Sequence, residues 1–161
     1  MPRQFILALT LALLPAAGSA QSIAFGGMDS DPSAPVEVAA DNLSVNQSDG
    51  SARFTGNVVI GQGEMRLSAD DVTVEYAEGG QDRIRALLAR GNVTLVAGED
   101  AAEAQEARYD VAAGTVLLTG DVLLTQGQNV LSGNRITVDI RNGTAQAQGR
   151  VRTILQQGTD R

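Results

Sequence analysis

The chain has 161 residues, a formal net charge of −7 and no Cys, His, Trp or Lys, so all 12 of its basic residues are Arg. This composition excludes zinc and haem sites built from Cys and His, nucleophile pairs that need His, and Lys Schiff bases; acid–base work could fall only to Asp, Glu, Tyr or Arg. An acidic chain without Lys is also a poor match for nucleic acid or an anionic membrane surface.

Residues 1–20 read as a secretory signal peptide. Arg3 supplies the positive start, residues 5–14 are the apolar run, and the small residues up to Ala20 mark the expected cleavage point. No other stretch approaches the ~20 apolar residues needed to span a bilayer. Cleavage would leave 141 residues at charge −8, since Arg3 leaves with the signal. That is one exported domain without disulfides, long enough for a single core to suffice. Residues 21–34 mix Gly, Ser, Asp and Pro, with Phe25 and Met28 as the large apolar residues, and are expected to form a flexible N-terminal arm. Residues 35–155 form the domain, and 156–161 a polar tail.

Within the domain the dominant signal is repetition. An apolar–x–small–x–x–apolar hexad occurs as Val38-Ala-Ala-Asp-Asn-Leu43, Leu67-Ser-Ala-Asp-Asp-Val72 and Leu131-Ser-Gly-Asn-Arg-Ile136. A weaker copy is read at Ala104-Gln-Glu-Ala-Arg-Tyr109. A second landmark runs from one Gly to another six residues on, then to Val: Gly50…Gly56…Val58, Gly114…Gly120…Val122 and Gly143…Gly149…Val151, with Gly91 and Val93 closing the remaining unit. The regularity of Gly56, Gly91, Gly120 and Gly149 points to a backbone need, either a bulge or a close approach.

Inside each unit the period is two. Ala52, Phe54, Val58 and Ile60 share one parity; so do Val72, Val74 and Tyr76, then Val116, Leu118, Val122 and Leu124, then Ile136, Val138 and Ile140. That is the pattern of antiparallel strands with one face buried and one wet. Residues 101–108, rich in Ala and Glu, could be helical, but their place in the repeat favours a strand. The expected fold class is all-β: about a dozen short antiparallel strands in a repetitive sandwich, jelly roll or roll-like solenoid with an aliphatic interior.

The segments Val36-Glu-Val-Ala-Ala-Asp-Asn-Leu-Ser-Val45, Ala52-Arg-Phe-Thr-Gly-Asn-Val58, Met65-Arg-Leu-Ser-Ala-Asp-Asp-Val-Thr-Val-Glu-Tyr76 and Ala89-Arg-Gly-Asn-Val93 resemble the OstA-like domain of lipopolysaccharide transport. The resemblance covers nearly all of the expected mature chain, and its motifs are structural repeats, not catalytic signatures. Of the three kinds of protein with this domain, one adds a large outer-membrane barrel and one keeps an inner-membrane anchor. The layout here is similar to the soluble periplasmic bridge. For that family the resemblance implies a V-shaped β-jellyroll whose interior shields the lipid A acyl chains of lipopolysaccharide. It also implies head-to-tail joining, through terminal strands, of copies and of the inner-membrane-anchored and outer-membrane partners.

The candidates for the inward, lipid-contacting face are Phe54, Val58, Ile60, Val72, Val74, Leu118, Val122, Ile136 and Val138. Plain core packing accounts for the same pattern, so the alternative is a periplasmic β-repeat scaffold with a closed core. No residue is expected to be catalytic, and no metal or cofactor is expected. Asp70-Asp71 and Glu99-Asp100 have no calcium-loop spacing, and neighbours on a strand face opposite ways, so solvated turns are expected there. Arg53, Arg66, Arg150 and Arg152 could meet lipid A phosphates at a rim or simply solubilise the chain. A carboxylate-dependent polysaccharide hydrolase would need acids converging on one face, which the strand parities do not supply.

Overall fold

The structure is a computed structural model in which residues 23–24, 33–78 and 83–156 are described. Among them every regular element is a strand: β1 Ile23–Ala24, β2 Glu37–Ala39, β3 Asn42–Val45, β4 Ala52–Gln62, β5 Met65–Tyr76, β6 Ile84–Ala97, β7 Asp100–Asp110, β8 Thr115–Gln126, β9 Asn129–Asp139, β10 Thr144–Gln148 and β11 Arg152–Ile154. The Ala- and Glu-rich segment lies within β7, as its place in the repeat predicted. All eleven strands join one antiparallel sheet in the order β1-β10-β9-β8-β7-β6-β5-β4-β2, with β3 also on β4 and β11 also on β9. From β4 to β10 each strand pairs with the next in sequence, so short turns connect most of them. The expected signal segment at 1–20, most of the expected arm and residues 157–161 lie outside the described residues.

The long strands each break at the same height. The pairing shifts between Thr55 and Val58, Ser68 and Asp71, Arg90 and Val93, Glu103 and Glu106, and Thr119 and Val122. At each break on β4, β6 and β8, and again just after β10, two successive residues take positive φ: Gly56-Asn57, Gly91-Asn92, Gly120-Asp121 and Gly149-Arg150. The first of the pair faces a polar side chain on the neighbouring segment. A Cβ on Gly91 would sit 2.6 Å from Asp70 Oδ2, so only glycine fits both the backbone and the gap. The second residue bonds across: Asn57 Nδ2 donates to Asp41 Oδ2 at 2.9 Å, and Asn92 Nδ2 to Asp70 Oδ2 at 2.8 Å. These corners bend every strand together and fold the sheet into two leaves. The first leaf carries β3, β10 and β1, and the second carries β2 and β11.

The corner also fixes the repeat. Asp41, Asp70 and Asn134, the residues facing the corner glycines, are the fourth members of their hexads, and Gln105 takes that place on β7. The fourth copy is therefore Ala102-Glu-Ala-Gln-Glu-Ala107, two residues before the copy read from sequence. Hexads then begin at 38, 67, 102 and 131, spaced by 29, 35 and 29 residues, and the longer unit contains the β5–β6 connection. At the far end of the second leaf, Gly63-Glu64, Gly98-Glu99 and Gly127-Gln128 make three equivalent two-residue hairpin turns. Their glycines lie at φ 58, 60 and 57, the first position of a type II′ turn.

The period-two residues face the space between the leaves. Val58, Val72, Leu95, Val116, Leu118, Ile136 and Val138 are all 0% exposed, and Tyr109 is a buried aromatic among these aliphatics. The core is thus one continuous layer shared by both leaves.

Candidate functional site

The interior is built by alternation on one side of the corner and again on the other. Val58, Ile60, Val72, Val74, Leu118, Val122, Ile136 and Val138, eight of the nine candidates, are at most 2% exposed within it. Phe54 is half-buried and packs against the same cluster, close to the β3 edge. All nine share one face, as their parity predicted, and that face is packed shut. The small apolar cavity at the end of the second leaf, lined by Leu124, Leu131, Thr153 and Leu155 with Gln126 and Asn129, holds about 40 Å³. That is room for a few waters at most, not for an acyl chain.

Exposed apolar residues concentrate at the two sheet edges. Leu43 is 58% exposed and Val45 52%, although they pair with the inward-facing Phe54 and Ala52. They face inward at the last strand of the first leaf, with no strand beyond among the described residues. At the other end Val151, Ile154 and Leu155 are 50%, 51% and 66% exposed. Within the described sheet, β2 and β3 pair on one side with β4, and β11 on one side with β9, which leaves backbone donors and acceptors unpaired along their other sides. At β10 the outer side holds β1, through Ile23 opposite Ala145 and Ala24 opposite Thr144.

Among the described residues, three buried polar side chains meet this interior: Gln62, which was not singled out from sequence, Tyr109, read only as the end of a hexad, and Asp100, read as part of a solvated pair. Tyr109 on β7 belongs to the first leaf, and its hydroxyl donates to Gln62 Oε1, at the end of β4 in the second leaf, at 2.9 Å. Gln62 Nε2 donates in turn to the carbonyl of Ala34 at 3.0 Å. Burial pushes the Tyr109 phenol above its ordinary value, outweighing the nearby Arg141. Asp100, 3% exposed, opens β7 just after a hairpin turn, and its Oδ2 has no partner among the described residues. Burial first and Glu99 second raise its carboxyl above the ordinary value. Parity held the signal for Gln62 and Asp100, which extend the inward series Val58-Ile60 and lead into Ala102-Ala104.

The other charged candidates take structural places. Arg53 pairs with Asp71 on the outer face, its Nε donating to Oδ2 at 2.8 Å. Arg66 Nη1 donates to the carbonyls of Gly63 and Met65 at 2.7 and 2.8 Å, closing its hairpin turn. Arg150 is a corner residue, and Arg152 lies on β11. Asp70 is a corner acceptor and Glu99 a turn residue, but Asp100 departs from the expected solvated turn because its parity sends it inward. Arg90, Arg108 and Arg135 instead share an outer-face hollow of about 310 Å³ beside Leu88, Leu117 and Thr119. Among the described residues, no group of three or more Asp or Glu could hold a metal ion.

Residues 37–144 match the family described as LptA/(LptD N-terminal domain) LPS transport protein. The chain is 30% identical over 141 residues to an uncharacterised protein of Rhizobium meliloti (strain 1021), covering 81% of this chain and 74% of that one. It is 28% identical over 146 residues to the lipopolysaccharide export system protein LptA of Escherichia coli (strain K12), covering 84% and 78%. A 61-residue stretch is 48% identical to the LPS-assembly protein LptD of Salmonella typhimurium, covering 37% of this chain and 8% of that protein. Among solved structures, LptH of Pseudomonas aeruginosa, the LptA-homologous periplasmic component of the lipopolysaccharide transport device, superposes with a TM-score of 0.71. At 21% identity it covers 80% of this chain and 99% of that one, and it shares the fold. The matched family is one of transport proteins, in keeping with a chain expected to have no catalytic residue. The family match over residues 37–144 spans most of the described sheet, and the chain belongs to the LptA/LptD N-terminal domain family of lipopolysaccharide transport proteins.

Proposed function

We propose that this chain is a periplasmic carrier that shelters the lipid A acyl chains of lipopolysaccharide between its two leaves. In this reading it joins head to tail with further copies and with inner-membrane-anchored and outer-membrane partners carrying the same domain. The observation that carries the reading is the edge of the first leaf, where Leu43 and Val45 face inward yet are more than half exposed. Such residues await either another strand or an apolar ligand, and an open edge accepts both. Each buried CH₂ is worth ~0.8 kcal/mol, so an acyl chain of about a dozen carbons gains ~10 kcal/mol on leaving water. Entering the interior, it replaces leaf-to-leaf contacts of the same chemistry. Uptake is then close to balanced, which suits a ligand that must be handed on. Phe54, Val58, Ile60, Val72, Val74, Leu118, Val122, Ile136 and Val138 line the path once the leaves part. Residues 1–20 would supply export to the periplasm and be removed.

The packed interior favours one other reading, a scaffold with a permanently dry core that works only through its edges. Titration of the purified protein with lipopolysaccharide separates the two. The carrier binds, Leu43→Asp weakens binding while the protein stays folded, and Arg53→Ala binds as the parent does. A folded parent protein that takes up no lipopolysaccharide is the scaffold.

A further inference from the structure

The interior is closed, so an acyl chain enters only when the leaves part. Along the corners the leaves are joined by the strands themselves. At the far ends side chains alone hold them. Gln62 and Asp100 are the buried polar side chains among the core residues, and both lie in the last row of the second leaf, with Met65 and Ala97 between them. Two strands, β5 and β6, separate β4 from β7 in the sheet, so the 2.9 Å Tyr109–Gln62 bond is no ladder contact. It spans from one leaf to the other, and the 3.0 Å bond from Gln62 to Ala34 ties the entry to the domain onto the same point.

We propose that Tyr109, acting through Gln62 and the Ala34 carbonyl, is a latch that holds the leaves together on the β4 side and sets how readily the interior admits an apolar chain. The proposal rests on the carrier reading above. A polar bond in an aliphatic seam suits this role. Two leucines would close the seam at every step of a cycle, whereas a hydrogen bond is strong while dry and is replaced by water once the seam is wetted. Asp100, whose Oδ2 finds no partner among the described residues, lies in the same row and keeps the closed state from being too stable. The phenol remains a donor across the neutral range, because its burial moves ionisation further from neutrality.

The test uses the full chain with Tyr109→Phe, Gln62→Met and the double variant. The readouts are amide hydrogen exchange and the rate of uptake of N-phenyl-1-naphthylamine, an apolar fluorophore. Each single variant breaks the bond that crosses between the leaves, so exchange at the ends of β4 and β7, and dye uptake, should rise about tenfold or more. Exchange in β8 and β9 should stay at the parent level. The double variant breaks the same bond as either single one and should exchange about as fast as the faster of the two, without the effects multiplying. Unchanged exchange in both single variants, an equal rise throughout the sheet, or a double variant in which the two effects simply multiply overturns the latch. Exchange needs no lipid, which keeps the two claims apart. Faster local exchange with no lipopolysaccharide uptake by any variant supports the latch and overturns the carrier. Uptake by the parent with unchanged exchange in the single variants overturns the latch alone.

Discussion

Gly91→Ala probes the corner that makes two leaves out of one sheet. Gly91 lies at φ +77, and an L-residue held there costs about 1–2 kcal/mol in backbone energy alone. The added methyl would also sit 2.6 Å from Asp70 Oδ2 and 3.1 Å from Asp70 Cβ, so Asp70 must swing aside. That breaks its 2.8 Å bond from Asn92, a further loss of about 1 kcal/mol. The sum is about 2–3 kcal/mol. Gly50→Ala is the internal control, since Gly50 lies at φ +71 with nothing within 4 Å of the new methyl. Urea denaturation at neutral pH should show Gly91→Ala less stable than Gly50→Ala by about 1 kcal/mol or more. Combining Asp70→Ala with Gly91→Ala should cost less than the sum of the two, because the first removes what the second collides with. Equal losses for the two glycine variants, or strict additivity in the pair, would refute the corner argument.

Leu118→Asp or Val122→Asp places a carboxylate in a fully closed layer, and each should cost about 4 kcal/mol or more, visible as loss of the strand signal in circular dichroism. Arg53→Ala cuts an ion pair whose arginine is 63% exposed and should leave the urea midpoint close to the parent's; the opposite ranking would mean that the inner and outer faces are exchanged. Because the Asp100 carboxyl is raised above its ordinary value near 3.8, the folded state binds that proton more tightly than the unfolded chain. Its contribution is whole below about pH 4 and is lost as pH rises through the folded value. Asp100→Asn should therefore raise the urea midpoint near pH 7 and lose that advantage at about pH 3.5, whereas an equal gain at both would assign the effect to something other than ionisation.

Alternation carried most of what the chain disclosed. The inward face of β4, β5, β8 and β9 was legible because large aliphatics mark it, and the corner glycines were legible because each recurs two residues before a Val. β7 was the weak point. Its inward residues include Ala102, Ala104 and Ala107, too small to mark a phase, so the fourth hexad was read two residues late. Glu99-Asp100 read as a solvated pair because a type II′ turn ends between them, although Asp100 shares the parity of Ala102 and Ala104, and its pairing with Ala97 places it inward. The Tyr109–Gln62 contact joins residues 47 apart on strands that are not neighbours, and no local pattern specifies that. Nor could composition decide whether the leaves meet. The aliphatic face suits a groove or a core equally, and only the packing of one leaf on the other makes it a core here.

The central claim is that lipopolysaccharide reaches the space between the leaves. Photocrosslinking tests it most directly, with a photoreactive residue placed in turn at Phe54, Leu118, Arg53 and Thr119 of the purified protein. The first two face inward and the last two outward on the same stretch of sheet. Adducts at Phe54 and Leu118 and none at Arg53 and Thr119 is the result predicted. Folded protein that gives no adduct at any of the four, or adducts only at the outward pair, would contradict it.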